Sequence, residues 1–387
     1  MNKKPARPCE VCLNSKSAEI LHRQSFILPQ GHILEKAREY DIVSCNECGF
    51  VYADTPLKQK TYDSYYEKMS KYELDYSKAD ISRYMSQAKL IKSFLPHENL
   101  KVIDVGCGNG GLLMALKQLG QKNITALDPS VKCISNIKKA GIKGFTGNLF
   151  GNTGAEKYDM VILSHVMEHV KDVSRALDKV LNMLNENGML YIEVPDASSY
   201  ADNHVVPYYY FDTEHINHFE ETSLINLGMH KGLRVINLGK KLIDASARVK
   251  YPAIYVLYKR TAETASWNSY AKARVKAYIK LSAADKKVLG TIDELLKIKK
   301  KIVIWGAGNY TMRLLDNSPL ANCDIEAFID KDPKKQGLKI NGKPVLSTDI
   351  IGKLSPDTVI VICSAVYADE ITAELKGMKV KNRIVTL

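Results

Sequence analysis

The chain reads as an α/β protein. An open, mainly parallel sheet lies in the middle, a cysteine-clasped β ribbon comes before it, and a smaller sheet of the same kind follows. Three observations predict this. An apolar run at residues 102–105 ends in a glycine-rich turn (Gly106, Gly108, Gly110, Gly111) and reopens at helical spacing. Two C-x-x-C pairs, Cys9 with Cys12 and Cys45 with Cys48, precede it. A second strand, glycine turn and helix occupy residues 300–315.

Residues 18–24 and 40–44, between the cysteine pairs, alternate as ribbon strands do. Each C-x-x-C can clasp one edge of a tetrahedral ion, and four thiolates leave no open position for a catalytic water. In a reducing compartment this pattern points to a structural Zn²⁺ rather than disulfides, with four free thiols as the alternative. Cys107, Cys133, Cys323 and Cys363 fall in apolar segments or in the glycine turn and read as inert. The segment after the ribbon carries Tyr62, Tyr65, Tyr66, Tyr72, Tyr76 and Tyr84, whose helical spacing suits packing residues with a wet tip.

In the central unit the glycines lack the Cβ atoms that would keep backbone N–H groups away from a ligand at a helix N-terminus. Gly106, Gly108 and Gly111 also satisfy the dinucleotide fingerprint, so the glycines alone do not choose the ligand. Asp104, two residues before the turn, would repel a pyrophosphate and suits an ammonium group. Asp128 closes the next apolar run, where a carboxylate can accept both hydroxyls of a ribose. Together they suggest S-adenosylmethionine. Residues 165–169 spell H-x-x-E-H, also a metallopeptidase signature, but that chemistry needs the motif inside a helix and a further carboxylate. Here it follows a strand-like run, which places His165 at the cofactor pocket and His169 on the substrate side.

Residues 207–227 crowd polar and aromatic side chains into one loop: Glu214, His215 and His218 lie beside Phe211 and Phe219. His215 is the better general base, because an imidazole with a pKa near about 6.5 can take a proton at cellular pH, with Glu214 available to modulate it. Capping the following helix is the alternative use of Glu214. Residues 234–241 and 253–260 read as an antiparallel hairpin that completes the sheet, and residues 265–299 as helix. In the third unit Gly306 and Gly308 are followed by Thr311 in place of a third glycine, and the next strand ends at Asp330. This is a dinucleotide fingerprint in form, yet residues 300–387 have room only for a mononucleotide half. The turn can instead cradle the diphosphate of a nucleotide-linked substrate.

Residues 102–113, 161–170 and 189–196 resemble the glycine turn, fourth strand and fifth strand of the class I methyltransferase family. Asn148-Leu149 stands where that family places its adenine-contacting pair, usually with Asp. The resemblance implies cofactor contacts at Asp104, Gly106, Cys107, Gly108, Gly110, Asp128, Pro129, Asn148, Leu149, Ser164 and His165, with Tyr72 and Tyr76 on a lid. The whole layout is similar to the sugar C-methyltransferases of deoxysugar biosynthesis, most specifically in Cys9, Cys12, Cys45 and Cys48, in Glu214-His215 with Phe219, and in Asp330, Pro333, Lys335, Gln336 and Gly337 of the family's D-x-x-P-x-K-Q-G segment.

It implies four parts: a zinc-binding domain (1–60), a methyltransferase domain (61–262), a helical linker (263–299) and a Rossmann-like nucleotide-binding domain (300–387). It also implies methylation of a ring carbon beside the ketone, C3, of a nucleoside-diphosphate 4-keto-6-deoxysugar through an enolate. His215 would be the base, with Glu214 and with His169 on the substrate side. Asn217, His218, Gly306, Gly308, Asn309 and Asp330 would contact substrate. The chain departs from the family at Asp212, commonly tyrosine, and at His165, commonly asparagine. Tyr208, Tyr209 or Tyr210 could replace the missing phenol. An O-methyltransferase acting on a sugar or another small molecule is the alternative.

Composition sets bounds. Hydrophobic residues at 45% and charged residues at 25% are ordinary for a globular protein. Net charge is +12, with lysines scattered as on solvated faces, before attraction to an anionic nucleotide and well before nucleic-acid binding. No apolar run approaches the about 20 residues of a bilayer span, and the polar start has no secretory core. The expectation is a cytoplasmic enzyme with neither nucleic acid, membrane nor obligate protein partner.

Overall fold

A computed structural model describes residues 1–69, 78–151, 156–246, 249–260 and 271–387. Tyr72 and Tyr76 lie outside the described residues. The ribbon strands are β1 (Asn2–Lys3), β2 (Ala18–Ser25), β3 (Glu39–Cys45) and β4 (Val51–Asp54). They form a five-stranded sheet in the order β1-β2-β3-β4, closed by a short strand at Asn217–His218. Each C-x-x-C turns back on itself through a left-handed residue. Leu13 (φ 61°) donates its N–H to the Cys9 carbonyl, and Gly49 (φ 77°) donates to that of Cys45.

Next come α1 (Gln59–Met69), α2 (Lys78–Ser93), β5 (Val102–Val105), α3 (Gly111–Gln118), β6 (Ile124–Asp128), α4 (Val131–Lys139), β7 (Lys143–Thr146) and β8 (Tyr158–Ser164). They are followed by α5 (Val173–Met183), β9 (Leu184–Pro195), β10 (the Asn217–His218 strand), α6 (Glu221–Met229), β11 (Leu233–Asp244) and β12 (Lys250–Arg260). The second sheet has the order β11-β12-β9-β8-β5-β6-β7. β5 to β9 are parallel, and the 234–260 region forms the expected antiparallel hairpin against β9. All four residues of β5 are buried, as a strand covered on both faces requires. From β5 the chain winds outward through β6 and β7, then returns to β8 on the other side. The crevice at the carboxyl ends of β5 and β8 is therefore a topological switch point, where open α/β sheets bind ligands.

By contact density the chain divides into two units: residues 1–21, 42–203 and 214–276, and residues 22–41, 204–213 and 277–387. The second unit holds most of α7 (Ala271–Ala284), α8 (Lys287–Ile298) and a third sheet. That sheet is built from β13 (Ile302–Trp305), β14 (Ile325–Ile329), β15 (Lys339–Ile340), β16 (Lys343–Leu346), β17 (Val359–Ile362) and β18 (Ile384–Thr386), in the order β15-β16-β14-β13-β17-β18. Two helices accompany it, α9 (Asn309–Asn317) and α10 (Ala368–Gly377). Among the described residues no helix is long and apolar enough to cross a membrane.

The loop that enters β10 is anchored by Asn217. Its amide donates to the carbonyls of Met167 (2.8 Å) and Val170 (2.6 Å) and accepts from the buried Arg7 guanidinium. Removing a side chain that satisfies two buried carbonyls and one buried cation leaves all three short of a partner. Asn217→Ala is expected to lower unfolding free energy by about 3 kcal/mol, read by urea denaturation.

Candidate active site

The glycine turn after β5 is shaped by close approaches. Gly106 (φ 76°) leaves 2.6 Å between an added Cβ and Val166 Cγ2, and Gly110 (φ 78°) leaves 2.7 Å to Ile137 Cγ1. Gly111 makes room for the Tyr84 ring. Asp128, at the end of β6, braces the turn: Oδ2 accepts from Gly108 N–H and Oδ1 from Ser130 N–H, both at 2.8 Å. Two cavities meet here, sharing Gly106, His165 and His169 as lining. The first, ≈ 730 Å³, runs past Asp128, Pro129, Asn148 and Leu149. The second, ≈ 1060 Å³, runs past Asp104, Cys107, Gly108 and Ser164 to His215.

The arrangement fits an adenosyl cofactor. The cradle would be filled by any Cβ at Gly106, Asp128 lines the first cavity and Asp104 the second, and the apolar Leu149 lies beside Asn148. Asp104 is buried, and burial together with the Asp128 charge pushes its carboxyl up to about 7. A cation placed against it would restore its charge. Burial likewise pushes the Cys107 thiol up, which removes it as a nucleophile.

β8 ends at Ser164, and the next residue, His165, is a left-handed non-glycine residue (φ 54°). Its N–H bonds to the Glu193 carbonyl; Nδ1 lies 3.1 Å from Glu168 Oε1 and Nε2 lies 3.4 Å from Glu193 Oε1. Burial alone would lower this imidazole, but the bonds to Glu168 and Glu193 reverse the effect and lift it to about 9. Burial would likewise raise Glu193; instead His165 and Lys241 (2.7 Å) hold it down to about 2. The 3₁₀ turn Met167–His169 then directs Glu168 and His169 inward.

His169 faces His215, ring centroids 4.7 Å apart. Its Nδ1 lies 3.1 Å from the Glu214 carbonyl, which can only accept, so Nδ1 carries the hydrogen and Nε2 the lone pair. Tyr66 OH is 2.9 Å from the same Nδ1 and donates to Glu214 Oε2 at 3.5 Å, while Tyr65 OH donates to Oε1 at 3.3 Å. His215 and His169 thus meet at the second cavity, while Glu214 lines neither cavity and stands behind them against Tyr65, Tyr66 and His169. The cap of α6 is Glu220, whose carboxylate accepts from Thr222 and Ser223 N–H, so Glu214 does not cap that helix.

Other expected site residues lie elsewhere. Asn217 and His218 line neither cavity. Asn217 holds the backbone as described, and His218 is fully buried with Nδ1 3.3 Å from Tyr200 OH; burial and the His215 and Arg7 charges hold its imidazole down to about 3. Tyr210 is buried against Tyr278 in the second unit, so Tyr65 and Tyr66 bring the phenols to Glu214. In the second unit Gly306 (φ 118°) is required, since an added Cβ would lie 2.4 Å from the Cys363 carbonyl oxygen. Gly308 is extended (φ −112°) with nothing crowding it, and Asn309 opens α9. Asp330 accepts from Ala307 N–H, Asp332 N–H and Lys335 Nζ, so its carboxylate braces this turn as Asp128 braces the first.

Sequence reasoning missed Glu193, assigned no role to Glu168, and gave Tyr65 and Tyr66 only that of packing residues with a wet tip. A glutamate inside the apolar strand β9 was the available signal, because a buried carboxylate demands a partner.

The four ribbon thiols gather within 4.8 Å of one another, with Cys9–Cys48 Sγ atoms 3.5 Å apart and Cys12–Cys45 3.6 Å. Tetrahedral Zn–S bonds of about 2.3 Å place sulfurs about 3.8 Å apart, so the donor set fits that ion.

Residues 77–238 match the methyltransferase domain family, and residues 298–385 match a family described as C2185-like, N-terminal. The chain is similar to a ubiquinone biosynthesis O-methyltransferase of Bartonella tribocorum, 29% identical over 26% of this chain and 43% of that protein. It is also similar to a tRNA U34 carboxymethyltransferase of Campylobacter hominis, 28% identical over 27% and 39%. It thus spans about two fifths of the length of these relatives. Among solved structures, the magnesium protoporphyrin IX methyltransferase of Synechocystis PCC 6803 with bound S-adenosylmethionine aligns at TM-score 0.39 and 17% identity, over 53% of this chain and 98% of that one. The middle of the chain has the Rossmann-like α/β fold of class I methyltransferases.

Asp104 gives a pH test. A carboxyl raised in the folded state binds its proton more tightly than in the unfolded chain, so its contribution is present at low pH and lost as pH rises from about 4 through 7. Asp104→Asn is expected to gain stability relative to the parent across that window, by up to about 4 kcal/mol, in paired urea titrations. Parallel pH curves would sink the assignment.

Proposed function

We propose that the chain is an S-adenosylmethionine-dependent C-methyltransferase that acts on a carbon beside the ketone of a nucleoside-diphosphate 4-keto-6-deoxysugar. The observation that carries this is the meeting of His215 and His169, buttressed by Tyr66 and Glu214, in the cavity that Asp104 and the glycine turn also line. When bound, S-adenosylmethionine supplies an electrophilic sulfonium methyl group. Asp104 receives its ammonium group, Asp128 its ribose, and Asn148-Leu149 its adenine. His215 takes the proton from the carbon beside the ketone, leaving an enolate on the substrate. His169, with its Nδ1 hydrogen held by the Glu214 carbonyl, offers Nε2 on the same side. Glu214 balances the charge gained by His215, and the phenols of Tyr65 and Tyr66 keep its carboxylate in place. Holding both reactants in line can contribute about 7 kcal/mol or more to lowering the barrier.

The similarity to ubiquinone biosynthesis O-methyltransferases favours a second reading, in which His215 takes the proton of a hydroxyl. Product mass spectrometry in deuterated water, over a panel of nucleotide 4-keto-6-deoxysugars, separates the two. C-methylation predicts solvent deuterium entering at the carbon beside the ketone before transfer, and a methyl group that survives mild acid. A product without prior exchange favours the hydroxyl.

His215→Ala is expected to lower turnover about 10²- to 10⁴-fold with cofactor affinity nearly unchanged; undiminished turnover would remove His215 as the base. Asp104→Asn should weaken S-adenosylmethionine binding at pH 8 at least about tenfold, in calorimetry, because the ammonium group loses a full counter-charge.

Cys9, Cys12, Cys45 and Cys48 hold a structural Zn²⁺ in this reading. Elemental analysis is expected to find one zinc per chain, and Cys45→Ser is expected to lose it together with much of the thermal stability of the ribbon.

A further inference from the structure

Glu168, His169 and His215 each offer a ligand atom, and the three atoms lie within 4.8 Å of one another. We propose that they form a second cation site, distinct from the four thiols, for a borderline divalent ion such as Zn²⁺, and that an ion there occupies the His215 nitrogen needed as base. This rests on the reading of His215 given above.

Four observations carry it. Two imidazoles with one carboxylate are a donor set suited to zinc with an open fourth position. A tetrahedral ion with bonds of about 2.1 Å needs donors about 3.4 Å apart, so side-chain shifts of about 1 Å close the site. His169 Nδ1 is turned to the Glu214 carbonyl, which orients Nε2 as the basic nitrogen in the way outer partners orient metal-bound histidines. Glu168 is 1% exposed; His165 holds Oε1, while Oε2 is buried with no hydrogen-bond partner among the described residues. His165 already answers the charge on Oε1, and an ion against Oε2 would satisfy the buried Glu168 oxygen left without a hydrogen bond.

The ion adds no step to methyl transfer. It occupies the electron pair with which His215 would take the acceptor's proton, so metal occupancy and turnover exclude one another. The ion also adds positive charge next to a cavity that must receive a sulfonium.

The test uses the full-length protein with its four-thiol site already zinc-loaded, and Co²⁺ as the probe. The expected result is one further equivalent by calorimetry, with visible absorption lacking a thiolate charge-transfer band. Affinity should fall at least tenfold in Glu168→Gln and in His169→Gln, while both variants keep the zinc of the four-thiol site and the parent's far-ultraviolet circular dichroism. Saturating Co²⁺ should slow modification of His215 by diethyl pyrocarbonate, read by peptide mass spectrometry, at least tenfold in the parent and not in Glu168→Gln.

The site is disproved by no further equivalent in the parent, or by undiminished affinity in both variants. Bound Co²⁺ that leaves His215 modification unchanged overturns the claim that the base is blocked. None of these readouts uses turnover, so a protein that binds the ion and protects His215 but methylates no acceptor overturns the function proposed above and leaves the site standing.

Discussion

The site depends on charge buried at the end of β8. His165 adopts a left-handed backbone, which costs a non-glycine residue about 1 kcal/mol, and sets each ring nitrogen against a carboxylate that is 1% solvent-exposed on its side chain. With Lys241 on Glu193 the group is close to neutral, so charges that would be costly alone stabilise one another. The direction of the following 3₁₀ turn, and with it Glu168 and His169, follows from this arrangement. His165 also borders both cavities, so the same network links the adenine side of the crevice to the side that holds His215.

Local stability and binding work against each other at Asp104. A carboxyl group buried near Asp128 holds its proton up to about pH 7 in the protein alone, and a bound cation favours its ionised form. The glycine turn carries a similar tension. Positive φ at three glycines and the close approach of Val166 to Gly106 create a cradle at the switch point that no other residue type fits without displacing a neighbour.

Much of this was legible before any coordinates. The alternation of apolar runs and glycine turns at 102–113 and 300–315 marked the starts of two parallel sheets, and the hairpin at 234–260 lies where period-two patterning put it. Asp104, Asp128, Asn148 and Leu149 line the crevice because each sits at the carboxyl end of a strand or just past it, a relation readable from spacing. Asn217 and His218 lie away from both cavities, and nothing in the sequence signalled it: a polar residue in a loop looks alike whether it faces a ligand or satisfies buried groups of its own chain.

What the sequence by itself determined is the part governed by local periodicity and residue chemistry. This comprises the sheet and helix order, the crevice at β5, the pairing capacity of four cysteines and the candidacy of His215. Only the tertiary structure decided the partners: Tyr65 and Tyr66 on Glu214, His165 between Glu168 and Glu193, and Glu168 with the two histidines. These contacts join residues far apart in the chain, and no local pattern encodes a distance that is set by how a helix packs over a sheet edge.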